Sequence, residues 1–165
     1  MGMTASFASI SPTELEELKE DATNAPDLLF ERVGLDDVES GVDIDKSWAA
    51  IHFMLTGSQW EGAEPERLPV LGGTEIGADI GYGPARYLTP EQVVAAHGVL
   101  DSLPAAELKK RFIPAKLEAA DVYPSGIWLE EGMDGFEYIE HWYEQLRLFY
   151  AAAAKYGNAV LLAIV

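Results

Sequence analysis

Cysteine is absent from all 165 positions. That excludes disulfides, thiolate metal centres and cysteine nucleophiles together, and it suits a reducing compartment. Basic residues are scarce: eleven Lys and Arg face twenty-eight Asp and Glu, for a formal net charge of −17. A surface with that balance repels phosphate backbones, so direct binding of DNA or RNA is not expected. Anionic membrane surfaces repel it as well. Long apolar runs are missing too. The longest, Ala159 to Val165, has seven residues, against the roughly twenty that a helix needs to cross a bilayer. In the first twenty residues no basic segment precedes an apolar stretch, so no signal peptide is expected, and a cytoplasmic location is the expectation. Met1-Gly2 with Ser6 has the form of a myristoylation signal, but that segment reads as a strand.

The shortage of bases is uneven. Residues 1–50 hold twelve acids and three bases, residues 51–100 six and two, and residues 101–165 ten and six. The excess of negative charge therefore concentrates in the first third of the chain. Apolar residues make up 48% and charged residues 24%, ordinary proportions for a globular protein. A chain of this length suits one domain, with core material enough to fold without metal or crosslink.

Periodicity predicts an α+β fold: a mixed β-sheet with N- and C-terminal strands, packed by several helices. Met3 to Ile10 alternates as a strand. Ser11-Pro12-Thr13-Glu14 and Thr89-Pro90-Glu91-Gln92 are two capping boxes with proline at the first helical position. The helices they start should run to about Ala22 and Ser102. A short helix is expected near Leu28–Arg32. Ile44, Trp48, Ile51 and Leu55 form one apolar stripe, with Asp43 or Asp45 as its cap and Thr56-Gly57 as its stop. Residues 58–83 dissolve into Gly, Pro and acids, and read as loop with one or two short strands. Arg86-Tyr87-Leu88 is a short strand, Ala105–Phe112 and Ala115–Ala120 are short helices, and Gly126 to Leu129 reads as a strand. The longest element is Gly135 to Lys155, where Ile139, Tyr143, Leu146, Tyr150 and Ala153 repeat at helical spacing. Gly157 ends it, and Ala159–Val165 follows as a strand covered on both faces. That strand should pair beside Met3–Ile10, with the long helix across one face of the sheet.

No catalytic constellation assembles on paper. Gly81-Tyr82-Gly83 starts a dinucleotide fingerprint, but the third glycine would fall on Arg86, and no G-K-[ST] occurs. Positive-φ turns account better for these glycines. Glu137, Glu140, His141 and Glu144 have the spacings of helical metal ligands, yet His141 points away from the apolar face and no second helix matches. A solvated acidic face is the better reading, and neither a metal nor a cofactor is expected. His97 has no carboxylate at helical spacing. His52 is different, because it lies one turn after Trp48 beside the apolar stripe, where burial depresses a histidine pKa. His52 and Asp45 are therefore the candidates for acid–base work. Tyr82, Tyr87, Tyr123 and Arg86, near the glycine loop and the Tyr123-Pro124 turn, are candidates to line an anion-recognising pocket or to anchor loops.

Several strings, taken together, resemble the YfbM-like family, small bacterial proteins described as a domain of unknown function. They are Met1-Gly2-Met3, Asp43-Ile44-Asp45-Lys46-Ser47-Trp48 with Ile51-His52-Phe53 and Leu55-Thr56-Gly57, and Gly81 to Leu88. Tyr123-Pro124 and the closing helix and strand extend the resemblance over the whole chain. It implies a compact mixed α/β domain of bacterial cytoplasmic origin and no particular reaction. It also draws attention to Asp45, Lys46, Trp48 and His52, which make the string recognisable. Two functional readings follow. The first is an acidic protein-binding module, immunity- or antitoxin-like, that engages a basic partner. The second is a small-molecule-binding or hydrolase-like protein in which His52, Asp45, Tyr82 and Arg86 meet in one pocket.

Overall fold

A computed structural model describes residues 2–165; Met1, part of the opening string above, lies outside them. The first strand, β1 (Ala5–Ile10), leads into α1 (Pro12–Glu20) and α2 (Ala25–Val33), then β2 (Gly41–Asp43) and α3 (Trp48–Thr56). The middle of the chain forms α4 (Leu68–Leu71), β3 (Thr74–Asp79), β4 (Pro84–Leu88) and α5 (Pro90–Asp101). Short helices α6 (Ala105–Lys109), α7 (Pro114–Ala119) and α8 (Trp128–Glu131) precede α9 (Gly135–Lys155) and β5 (Ala159–Ile164).

Both capping boxes are made. The Ser11 hydroxyl accepts from the Glu14 amide while the Glu14 carboxylate accepts from the Ser11 amide, and Thr89 and Gln92 do the same. Two orphan donors are satisfied at each helix start. The sheet has the order β2-β1-β5-β4-β3. β5 pairs with β1 from Ala5↔Ile164 to Ile10↔Ala159, the expected neighbour. Every pairing is antiparallel, which refines the expectation of a mixed sheet: α1–α2 and α5–α9 each join strands of opposite sense, and α3 and α4 carry the chain between β2 and β3, the two edges of the sheet.

Helices cover both faces. Phe7, Leu162 and Ile164 join the larger core with α3, α4, α5 and α9. Ala8, Ile10, Leu161 and Ala163 join a smaller core with Leu15, Leu18 and Leu29 of α1 and α2. This explains why β1 and β5 are buried at every residue and why β5 reads as a continuous apolar run. In α9 the buried stripe is the expected one, and the Tyr143 and Tyr150 hydroxyls donate to the carbonyls of Leu103 and Pro69 at 2.7 and 2.8 Å. Gly157, at φ +67°, ends the helix.

Two expectations change. Residues 58–83 contain α4 as well as β3, and β3 is an edge strand with mostly exposed side chains and a register shift between Ile76 and Asp79. Its charged residues and its irregular register leave a poor template for further pairing. Gly126–Leu129 is not a strand. The amides of Trp128 and Leu129 donate to the Glu118 carboxylate at 3.1 and 3.3 Å, and the Trp128 indole donates to the Val122 carbonyl. A side-chain acceptor for the first free amides favours a helical turn there.

Candidate functional site

The Asp43–Trp48 string builds a hub. The Asp43 carboxylate accepts from the Asp45 amide at 2.6 Å, and burial raises the Asp43 pKa against that hydrogen bond. Asp45 is thereby held at φ +51°, in left-handed space that Asp tolerates better than most residues. Its carboxylate accepts the Tyr138 hydroxyl at 2.6 Å, and that hydroxyl oxygen accepts the Lys46 amide at 3.2 Å. Burial, then the Asp45 carboxylate, push the Tyr138 phenol well above its ordinary value. The Lys46 stem runs beside Gly2, where an added Cβ would meet Lys46 Cε at 2.7 Å.

Trp48 is fully buried, and its indole donates to the Met3 carbonyl at 3.1 Å. The Tyr123 ring stacks on it at 6.0 Å, and the Tyr123 hydroxyl accepts the Met3 amide. Trp60 lies against it at 5.1 Å. This string therefore ties the start of β1, the start of α9 and two loops together through groups largely satisfied within the fold. His52 has 0% exposure; its Nε2 lies 2.7 Å from the Glu61 carbonyl oxygen and its Nδ1 has no partner among the described residues. Burial holds its pKa down to about 4, with the Glu61 carbonyl opposing and the Arg67 charge assisting the depression.

Tyr82 and Arg86 do share a pocket. Its volume is about 90 Å³, and its walls include Trp60, Arg67, Leu71, Leu162 and Ile164. Asp45, Lys46, Tyr123 and His52 are not among its lining residues; Trp48 reaches it only through Trp60. Sequence reasoning missed Trp60 and Arg67, which lie in an acidic stretch without periodicity. Arg86 carried a usable signal: Pro84, Arg86 and Leu88 alternate, so Arg86 shares the inward face of β4 with buried Leu88.

A second surface lies on the other side of the sheet. α1 and α2 enclose a cleft of about 510 Å³ walled by Glu14, Glu17, Asp21, Asp27 and Glu31, with Leu18 and Leu28 also lining it. Beyond α2 a groove of about 570 Å³ adds Asp36, Asp37 and Asp43 beside Trp142. Arg32 is engaged, bonded to Glu14 and to the Ser9 carbonyl. Phe30 and Leu35, which fall between Asp27 and Asp36 in the sequence, are 48% and 57% exposed. No group of carboxylates and histidines with the geometry of a metal site occurs among the described residues.

The class of protein is thus an α+β domain with one antiparallel sheet, an acidic face on one side and a small arginine-lined pocket on the other. The chain belongs to the family described as Domain of unknown function (DUF1877), whose model matches residues 1–163. It is similar to Protein YfbM of Escherichia coli (strain K12), with 35% identity over 176 residues covering 100% of this chain and 99% of that protein. The crystal structure of YfbM from Escherichia coli, titled a protein of unknown function, superposes with a TM-score of 0.75. The superposition spans 98% of this chain and 99% of that one, at 27% identity. No specific function comes with the family. No helix among the described residues is long and apolar enough to cross a membrane.

Proposed function

We propose that this is a bacterial cytoplasmic protein-binding module that engages a basic partner through the α1–α2 face. The observation that supports it is the single charge sign of the side chains lining both the α1–α2 cleft and the groove beside β2, with Phe30 on α2 and Leu35 just after it exposed. Carboxylates steer a basic partner and set its register. An exposed aromatic and an exposed leucine beside them provide the apolar contacts on which an interface's energy concentrates. A module of this kind acts by occlusion, as immunity proteins and antitoxins do, and needs no catalytic group of its own.

The test compares the wild-type chain with the variant E17Q/D27N/E31Q as bait in a bacterial lysate. These side chains lie on the solvent side of α1 and α2, so the variant should fold normally. Wild type should retain a basic protein whose binding weakens steeply with salt, and the variant should lose most of that retention. Equal retention by both baits, or salt-insensitive retention, would show that the acidic face is not the docking surface.

A further inference from the structure

The pocket on the far side of the sheet has the opposite character. Its lining includes two guanidinium groups and no carboxylate, in a chain whose acids outnumber its bases twenty-eight to eleven. Arg67 Nη2 donates to the Leu71 carbonyl at 2.9 Å, and Arg86 Nη1 approaches the same oxygen at 3.5 Å. Sharing one carbonyl brings two like charges together, which costs free energy unless something compensates. Compensation from the protein is thin. Arg86 meets Glu75 at 3.4 Å on the exposed side, and Arg67 has no carboxylate partner among the described residues. Arg67 Nε is buried without an acceptor among the described residues. Each guanidinium carries five N–H donors, and most of these ten remain unspent.

Capping the end of α4 explains one arginine, since a helix C-terminus favours a cation at its last carbonyls. It does not explain two beside a concavity with apolar walls at Leu162 and Ile164. We propose that this pocket binds a carboxylate borne on a small planar or apolar body. Arg67 and Arg86 would grip the carboxylate, and Trp60 and Tyr82, 51% and 57% exposed, would hold the body at the mouth. Fork-shaped guanidinium donors match a planar carboxylate. About 90 Å³ holds the anionic head while the body rests on the aromatic rim. A monoanion suits this chain better than a phosphate dianion, because the overall charge of −17 opposes each added negative charge.

Benzoate is the probe, titrated at constant ionic strength against the intrinsic tryptophan fluorescence, with benzamide as neutral control and phenyl phosphate as dianionic comparison. Benzoate should give a saturable change with a Kd of ~1 mM, and benzamide none. R67Q and R86Q should each weaken it by at least ~10-fold, while E17Q/D27N/E31Q, altered only across the sheet, should leave it unchanged. Tighter binding of phenyl phosphate than of benzoate would overturn the carboxylate assignment. Absence of saturable benzoate binding, or binding that survives both arginine substitutions, would overturn the site. If a substitution impairs folding, the wild-type protein still decides. Its Arg67 and Arg86 Nε–H resonances should shift with benzoate, and resonances that stay fixed would refute the proposal.

Discussion

Nε2 of His52 lies 2.7 Å from the carbonyl oxygen of Glu61, in a ring with no exposed surface. A carbonyl only accepts, so Nε2 carries the proton and Nδ1 is left bare, with no partner among the described residues. A second proton would place an uncompensated charge in the core near Arg67.

The pH dependence of stability follows. The folded-state pKa is about 4, below the unfolded value near 6.5. The stability owed to a neutral His52 is complete above that unfolded value, and it is lost as pH falls towards the folded one. Between pH 7 and 5 the loss should be about 2 kcal/mol. His52→Phe would forfeit the Glu61 hydrogen bond and start less stable at pH 7, yet its stability should fall less over this interval. Urea melts of both proteins at the two pH values measure the difference. Parallel losses would show that His52 is not the titrating group.

Asp45 and Tyr138 join the turn before α3 to the first turn of α9. Tyr138→Phe should cost about 0.5–1 kcal/mol, a modest amount for a hydrogen bond that is partly exposed. Asp45→Ala should cost about 1–2 kcal/mol, because alanine also fits the left-handed backbone poorly. Asp45→Asn should be the mildest, since Asn tolerates that backbone and keeps an acceptor. Combining Asp45→Ala with Tyr138→Phe in a double-mutant cycle should give a coupling of about 0.5–1 kcal/mol. Simple additivity would mean that the two side chains do not support each other.

Much of this fold was legible because its signals are local. The capping boxes at Ser11 and Thr89, the Ile139-to-Ala153 stripe, the alternation of Met3–Ile10 and the apolar run of β5 each state their own structure. β3 was legible only as an unplaced short strand within residues 58–83, because an exposed edge strand needs no apolar alternation to mark its position. Gly126–Leu129 misled because Glu118, ten residues before Trp128, supplies the acceptor that makes the segment helical. The candidate site divided similarly. Tyr82 and Arg86 lie near each other in sequence and share a pocket. Asp45 and His52 share a motif, yet Asp45 bonds to α9 and His52 faces the 58–61 loop. Periodicity placed them on one short segment but did not say which neighbours would claim their polar atoms.

The two cores meet at β5. Leu162 and Ile164 point into the α9 side, and Leu161 and Ala163 into the α1–α2 side. The strand also holds β1 and β4 together, since those two have no direct pairing in the order β2-β1-β5-β4-β3. Removing Leu161–Val165 therefore does more than delete apolar area. The loss of two leucines and an isoleucine alone costs about 1.5–3 kcal/mol per side chain. The break between β1 and β4 then leaves two unpaired strand edges in the middle of the sheet. Together these losses match or exceed the whole stability of an ordinary domain, about 5–15 kcal/mol. The truncated chain should show no cooperative thermal transition by circular dichroism, whereas Val165→Ala, at the partly exposed end, should melt close to wild type. Cooperative melting of the truncated chain within a few degrees of the full one would mean that β1 and β4 hold their places without β5, and that the sheet is organised around a different strand.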